Sequence, residues 1–368
     1  MNRVFSQCRK ELNQFRRDRI SVALAFLLPV ITLLLFGFGT RLELKDLKLA
    51  IYDFDGGKQS REYIDRLFAT RQLIPTRFKG SDPFSPLDRG IAKASLIIPP
   101  EFSRDIESGK SVQIQALVDA TDVNNARVVK NILFGVNQFF LESNGLATAN
   151  GPLVPQVRLW FNPGREEALY IVPGTIAFVM WIFPSLLSSI AVSREKEHGT
   201  ILQVYASSMT SVEFIGGKLL AYILVGTAEA IVVIMVSSFL FGVSVKGSLI
   251  IFVLNLLLFL SSSVNFGLFA GSVAHSQTAG VQIVATLGFT TALLLSGFIY
   301  PIRNIVYPLS LISNVVPTRY FREGCRDAFV RGTDWQSHLY IPLALLIANL
   351  VIFRASTRKI SGMQLEVE

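Results

Sequence analysis

Between Ile20 and Thr40 the chain carries no charged residue. As a helix rising about 1.5 Å per residue, that stretch reaches about 31 Å, the thickness of a bilayer's hydrocarbon core. Five further charge-poor windows are long enough to span: Ala168–Ser193, Leu219–Val245, Gly247–Ala274, Ser276–Ile302 and Gln336–Phe353, the last beginning near Leu339. Such runs have no place in a soluble core. They predict an α-helical polytopic membrane protein with six transmembrane helices. Composition agrees, because only 17% of the 368 residues are charged and the mean hydropathy is +0.45, whereas a soluble domain carries about 25% charge. A disordered or fibrous chain is thereby excluded, and an ordinary soluble enzyme is disfavoured.

Lysines and arginines set the expected topology. Arg3, Arg9, Lys10, Arg16, Arg17 and Arg19 precede the first run and hold the N-terminus in the cytoplasm. A cleaved signal peptide would have a shorter apolar region and a small-residue cleavage site before Arg41, so the first run reads as an uncleaved span. Six spans return the C-terminus to the cytoplasm, where Arg354, Arg358 and Lys359 lie in a tail over 354–368. The outer segment 301–335 opposes this scheme, since Arg303, Arg319, Arg322, Arg326 and Arg331 outnumber Glu323 and Asp327. In such a chain the net charge of +8 reports topology, and no nucleic-acid partner is expected. Cys8 and Cys325 fall on opposite sides of the membrane and cannot pair, and His198, His275 and His338 lack metal-ligand spacing. Val4, Phe5, Cys8, Leu12 and Phe15 recur at three- and four-residue steps among basic residues. That pattern predicts an interfacial amphipathic helix over 1–19, the other reading being a loosely ordered basic flank.

The stretch 41–166 has ordinary soluble composition, with 17 basic and 14 acidic residues in Arg41–Arg165. Strand-like runs at Leu47–Tyr52, Ile74–Phe78, Ser95–Ile98 and Val112–Val118 alternate with helical stretches at Ser60–Ala69, Leu87–Lys93, Pro100–Ser108 and Asn124–Ser143. This alternation predicts a small extracytoplasmic α/β domain inserted between helices 1 and 2. Pro100 suits a first helical turn and Gly109 a helix stop, while Gly151-Pro152 and Asn162-Pro163-Gly164 turn the chain back to the membrane. Asp53, Asp55, Asp119 and Asp122 read as strand-end turn formers, and no metal is expected.

The longest cytoplasmic loop, 193–218, opens with Ser193-Arg194-Glu195-Lys196-Glu197-His198-Gly199-Thr200 and continues through Met209-Thr210 and Glu213. Its composition suits a docking surface or, equally, a solvated extension of the second span. The runs Gly56-Gly57-Lys58 and Gly216-Gly217-Lys218 lack the upstream Gly and following Ser/Thr of a phosphate-binding loop, so this polypeptide has no nucleotide site of that type. Glu229 falls mid-span, where an ionisable group costs several kcal/mol and turns toward protein or water. It is either a substrate- or proton-contacting acid or one neutralised by protonation or by Ser/Thr neighbours. Phe178, Met180, Trp181 and Phe183 either line an apolar path or pack between helices.

Several of these segments together resemble the permeases of ABC-2 type exporters. They are Val192 through Thr200, Trp160-Phe161-Asn162-Pro163, Val172-Pro173-Gly174, Ile97-Ile98-Pro99-Pro100-Glu101-Phe102, Leu295-Ser296-Gly297-Phe298-Ile299-Tyr300-Pro301 and Val316-Pro317-Thr318-Arg319-Tyr320-Phe321. The resemblance runs over essentially the whole chain with motif order kept. It implies a bacterial inner-membrane subunit, with no cofactor of its own, working beside a cytoplasmic ATPase that binds ATP and Mg. It gives the loop the role of a coupling helix, with Arg194, Glu195, Glu197, Gly199, Thr200 and Glu213 facing that ATPase. Segment 301–335 becomes re-entrant, with Tyr300, Pro301, Pro317, Arg319 and Tyr320 at an outer gate, although tyrosines there equally suit interface anchors. Independently of the resemblance, Glu229, Phe178 and Trp181 are the candidate substrate-pathway residues. The resemblance further implies an identical or similar second permease, a drug-like or lipophilic cargo, and, in a double-membrane cell, a periplasmic adaptor and outer-membrane duct. Two other functions stay open: an ATPase-linked mechanotransmitter that passes no substrate, and a proton-coupled secondary transporter using Glu229. Against the latter, the two halves show no matching interrupted spans.

Overall fold

The computed structural model describes residues 2–39, 47–76, 82–119, 123–145, 168–207, 209–299, 302–332 and 339–365. The chain divides into two compact units, one of Met1–Thr40 with Leu159–Glu368 and one of Arg41–Arg158.

In the first unit, α1 (Asn2–Arg17) turns at Asp18 into α2 (Arg19–Gly39). Asp18 caps α2 by accepting from the backbone N–H of Ile20 (3.1 Å) and of Ser21 (3.3 Å).

The second unit is a four-stranded sheet of β1 (Leu47–Asp53), β2 (Leu73–Pro75), β3 (Ala94–Ile98) and β4 (Gln115–Val118), in the order β2-β1-β3-β4. β1 runs parallel to β2 and β3, while β4 is antiparallel to β3 and forms an edge. The connections are α3 (Lys58–Ala69), α4 (Ser85–Asp88) and α5 (Phe102–Glu107), and α6 (Val123–Ser143) follows β4. Leu49, Leu96 and Ile98 on the sheet pack with Tyr63, Leu67, Phe102, Val129 and Phe140 from α3, α5 and α6. Pro100 lies in the turn before α5 rather than in its first helical turn, because Glu101 takes a left-handed conformation (φ 69°) as the N-cap. The helix expected at 87–93 closes at Asp88, where Gly90 at φ 65° breaks it. Asp53 accepts from the Asp55 N–H (3.1 Å), the Gly56 N–H (3.0 Å) and the Ser60 hydroxyl (2.9 Å), the bonding of an Asx turn.

The first unit resumes with α7 (Ala168–Glu197), α8 (Ile201–Ala206), α9 (Ser211–Phe241), α10 (Leu249–Val273), α11 (Gln277–Ile283, carried on by π turns to Leu295), α12 (Leu309–Ser313), α13 (Pro317–Arg326) and α14 (Tyr340–Leu365). Six of these helices have the length and apolarity to cross a membrane: α2, α7, α9, α10, α11 with its π turns, and α14. Three are longer than their apolar windows, α7 running four residues past Ser193 to Glu197. α9 starts at Ser211 instead of 219, because Thr210 and Glu213 form a capping box and Lys218 is buried inside the helix. α14 runs on through its basic residues to Leu365.

α7 is the central helix, with 89% of its apolar window buried, against 17% for α2 and 22% for α14. Outward-facing apolar side chains such as Phe239 (87% exposed) and Ile250 (82%) suit lipid and would be a liability in water. Helix contacts inside use small residues and hydroxyls, as expected where lipid removes the hydrophobic drive between helices. Ser263 Oγ donates to the Trp181 carbonyl (2.7 Å), Ser185 Oγ to the Ser263 carbonyl (2.9 Å) and Ser188 Oγ to the Val264 carbonyl (3.1 Å), stitching α7 to α10. At Gly267 a β-carbon would sit 2.1 Å from the Ser185 carbonyl oxygen, and at Gly271 2.5 Å from that of Ser189. Asn265 and Asn349 bond across α10 and α14 at 3.0 Å.

Candidate functional site

The charged segment after the second span divides by burial. Arg194 and Glu195 turn into the chain, whereas Glu197, His198, Gly199 and Thr200 are exposed. Gly199, at φ 69°, reverses the chain after α7 into the short α8, on which Leu202 is exposed. Glu213 is spent on its own helix start, accepting from the Thr210 N–H (2.9 Å) and lying 3.7 Å from Arg3.

Behind this surface lies a buried ionic joint. Lys218, fully buried on α9, donates to Glu11 on α1 (2.7 Å) and to the Ala191 carbonyl of α7 (3.1 Å), and it lies 3.4 Å from Glu195. Lys10 bonds Glu195 from the rim, and Gln7 donates to Glu11 (3.0 Å). Two lysines face two glutamates, so the cluster is neutral, and each buried charge has a partner, as desolvation requires. α1 approaches closely because residue 217 is glycine, where a β-carbon would meet Gln7 Cβ at 2.6 Å. Around the joint, Arg194 pairs with Asp18 (2.9 Å) and donates to Gln277 Oε1 (3.2 Å), and Glu197 accepts from the Gln277 N–H (2.8 Å). Burial pushes the Asp18 carboxyl up, but bonds from Ser21 and Arg194 and the Arg194 charge hold it below its ordinary value. The last turn of α7 is thus bonded to α1, α9, the α2 cap and the start of α11. Sequence reasoning missed Glu11 and the burial of Lys218. The only signal was the pair Gly216-Gly217, which marks close approach but names no partner.

Glu229 is fully buried, with both carboxyl oxygens lacking a hydrogen-bond partner among the described residues. Phe178 is enclosed by Phe36, Phe289 and Phe298 at 5.2–6.3 Å, and Trp181 stacks between Phe259 (5.8 Å) and Phe266 (5.2 Å). Both rings are therefore packed within the helix core of this single chain.

At the opposite end of the bundle, Pro317 opens α13 as its first residue. Arg319 bonds the side chains of Asn314 and Ser313, and the Tyr320 hydroxyl donates to the Asn314 carbonyl (2.6 Å). Tyr300 and Pro301, like the 160–163 motif, lie outside the described residues. The arginine excess is partly absorbed inside the fold. Arg322, buried, donates to the Gly297 carbonyl (2.5 Å); Arg331 donates to Glu323 (2.6 Å) and Asp327 (2.8 Å); Arg326 lies 4.5 Å over the Tyr170 ring. Burial lowers Arg322 to about 10. Burial also pushes Glu323 up, but the Arg331 bond and the surrounding arginines more than offset it, leaving Glu323 below 4.5. A depressed carboxyl stabilises the fold above its unfolded value, and that contribution is lost as pH falls through the lower folded value. On acidification from pH 7 toward about 3, the melting temperature of the wild type is expected to fall further than that of Glu323→Gln, which begins lower. Parallel pH profiles of the two would refute this role.

A family model, described as an ABC-2 family transporter protein, matches residues 19–355. The Escherichia coli (strain K12) protein named "Probable multidrug ABC transporter permease YbhS" is 28% identical over 366 residues, covering 95% of this chain and 94% of its own. YbhR from the same organism, a name of the same form, is 27% identical over 90% of this chain and 91% of its own. "Inner membrane transport permease YhhJ", also from that strain, is 25% identical over 91% of each. With the family match running from the start of α2 to the middle of α14, the chain belongs to the ABC-2 family of transporter membrane proteins.

Proposed function

We propose that this chain is the permease half of an ATP-driven exporter in a bacterial inner membrane. It would move a drug-like or lipophilic compound outward while a separate cytoplasmic ATPase, holding ATP and Mg, supplies the energy. The ionic joint is the observation that supports this reading most. An exposed face of Glu197, Gly199, Thr200 and Leu202 suits docking of the ATPase. Immediately behind it, Arg194, Glu195 and Lys218 bond the docking segment to α1, α9 and α11, so a push on that face has several spans to act on. In this reading both termini are cytoplasmic and the α/β unit is extracytoplasmic. Two permeases, identical or similar, form the path, with an adaptor and outer-membrane duct beyond it where a second membrane exists. Pro317, Arg319 and Tyr320 border the outer gate, together with Tyr300 and Pro301.

Purifying the chain from its own host tests the reading directly. An ATPase carrying a phosphate-binding loop is expected to come with it, and transport that persists without such a partner or ATP would overturn the proposal. Leu202→Glu is expected to cut ATPase co-purification about tenfold with the melting temperature unchanged, since that side chain is exposed on α8. Glu229 is the candidate pathway acid, because a buried carboxyl without a partner costs several kcal/mol unless a substrate or proton uses it. Glu229→Gln is expected to fold normally and lose transport, and a variant transporting like wild type ends that role.

A further inference from the structure

The α/β unit contains a cleft of about 860 Å³ that the permease reading does not use. It opens between the edge strand β4, the chain 109–114 leading into it, and α6. Its floor is apolar and belongs to the core of the unit: Tyr63, Leu96, Phe102 and Phe140 all line it while remaining buried. Its volume lies in the range of sites that enclose a drug-sized ligand, about 300–1,000 Å³. The charged residues that line it are two lysines, Lys110 and Lys130, with no acid lining it among the described residues. Both lysines are exposed. Lys110 lies 3.6 Å from Asp105, which is not a lining residue, and the Lys130 ammonium stands 5.7 Å from the centre of the Phe134 ring. Ser111 and Asn137 add hydrogen-bonding groups.

We propose that this cleft binds a single-chain anionic amphiphile, with its hydrocarbon on the apolar floor and its acid group at the lysines. An apolar floor of this size offers a small inorganic anion nothing to recognise, and a rim with lysines and no acid disfavours a cationic amphiphile. The mouth also exposes Phe134, an aromatic face that water solvates poorly and a hydrocarbon chain covers well. Binding here needs neither ATP nor an ATPase, so it stands or falls separately from the export reading.

The test uses the full chain in lipid nanodiscs with a palmitic acid analogue carrying a photoactivatable diazirine in its chain, and maps the labelled peptides by mass spectrometry. Label is expected to concentrate within 96–141. Ala116, exposed on β4 and lining the cleft, has the open volume of the cleft beside it for a large side chain, which would lie over the apolar floor. Ala116→Trp is expected to cut that label about tenfold at an unchanged melting temperature. The pair Lys110→Glu and Lys130→Glu, both on exposed side chains, is expected to weaken labelling by the acid about tenfold. The corresponding diazirine alcohol should label within about twofold of wild type. Label no denser in 96–141 than along the spans overturns the proposal, as does label undiminished by Ala116→Trp. An equal loss for acid and alcohol in the lysine pair overturns the assignment of an anionic head group.

Discussion

Replacing Lys218 with methionine is expected to be among the most damaging single changes the chain can suffer. The substitution keeps the length and apolar character of the stem and removes only the charge. Glu11 then loses its 2.7 Å donor and is left with Gln7 and the Lys10 ammonium 3.9 Å away, and among the described residues Glu195 is left with Lys10, a half-exposed side chain. Removing one partner of a buried pair costs about 3–5 kcal/mol, because the remaining charge stays desolvated without compensation. Thermal unfolding of the detergent-solubilised protein should show the loss directly. The double variant Lys218→Met with Glu11→Gln is the diagnostic companion. It removes one charge of each sign, while the glutamine still accepts from Gln7, so it should recover more than half of the deficit. A single variant that melts with the wild type would show that the joint contributes nothing to stability. A double variant no better than the single would show that the damage has a cause other than the orphaned carboxylate.

A comparable loss is expected from Gly267→Ala, although it adds a single carbon. That carbon would lie 2.1 Å from the Ser185 carbonyl oxygen and from Ser188 Oγ, both on the central helix. Ordinary contact needs more than an ångström of extra room, and a backbone carbonyl cannot rotate aside as a side chain can. α7 and α10 must therefore part, and the bonds from the Ser185 hydroxyl to the Ser263 carbonyl and from the Ser188 hydroxyl to the Val264 carbonyl stretch with them. Overpacking costs about 1–3 kcal/mol, and each weakened interhelical bond adds about 0.6 kcal/mol. A total near 3 kcal/mol should reduce both the yield of monodisperse protein and its melting temperature. Gly216→Ala serves as the control, since a β-carbon there meets nothing within 4 Å and alanine favours the helix. If both variants behave alike, close approach at Gly267 is not what holds the two helices.

The six spanning helices were legible because apolar length admits few other uses. The start of α7 and both ends of α2 were legible too, but the far end of α7, the start of α9 and the end of α14 were not, because a sequence window stops at a charge, whereas a helix continues wherever that charge finds a partner. Lys218 is the clearest case: read as the edge of a loop, it is buried within α9. The strands of the α/β unit were visible as β-rich runs, but neither the sheet order nor the brevity of β2 could be read from them, since pairing depends on contacts remote in sequence. The charged segment 193–200 stood out as a feature. What it does not reveal is that Glu195 and Glu197, two residues apart on one helix, face opposite environments. That distinction is set by residues 11 and 218, which no local pattern connects to it.

The joint also bears on how the chain is made. Glu11 and Glu195, the two counter-charges of Lys218, both precede it in sequence, as does Ser185, the contact of Gly267. When α9 leaves the ribosome, its buried lysine thus meets acids already synthesised and waiting at the membrane. Burying a lysine in an inserting helix costs free energy unless an acid meets it. An order of synthesis that places the acceptors first lets that cost be relieved as the helix arrives.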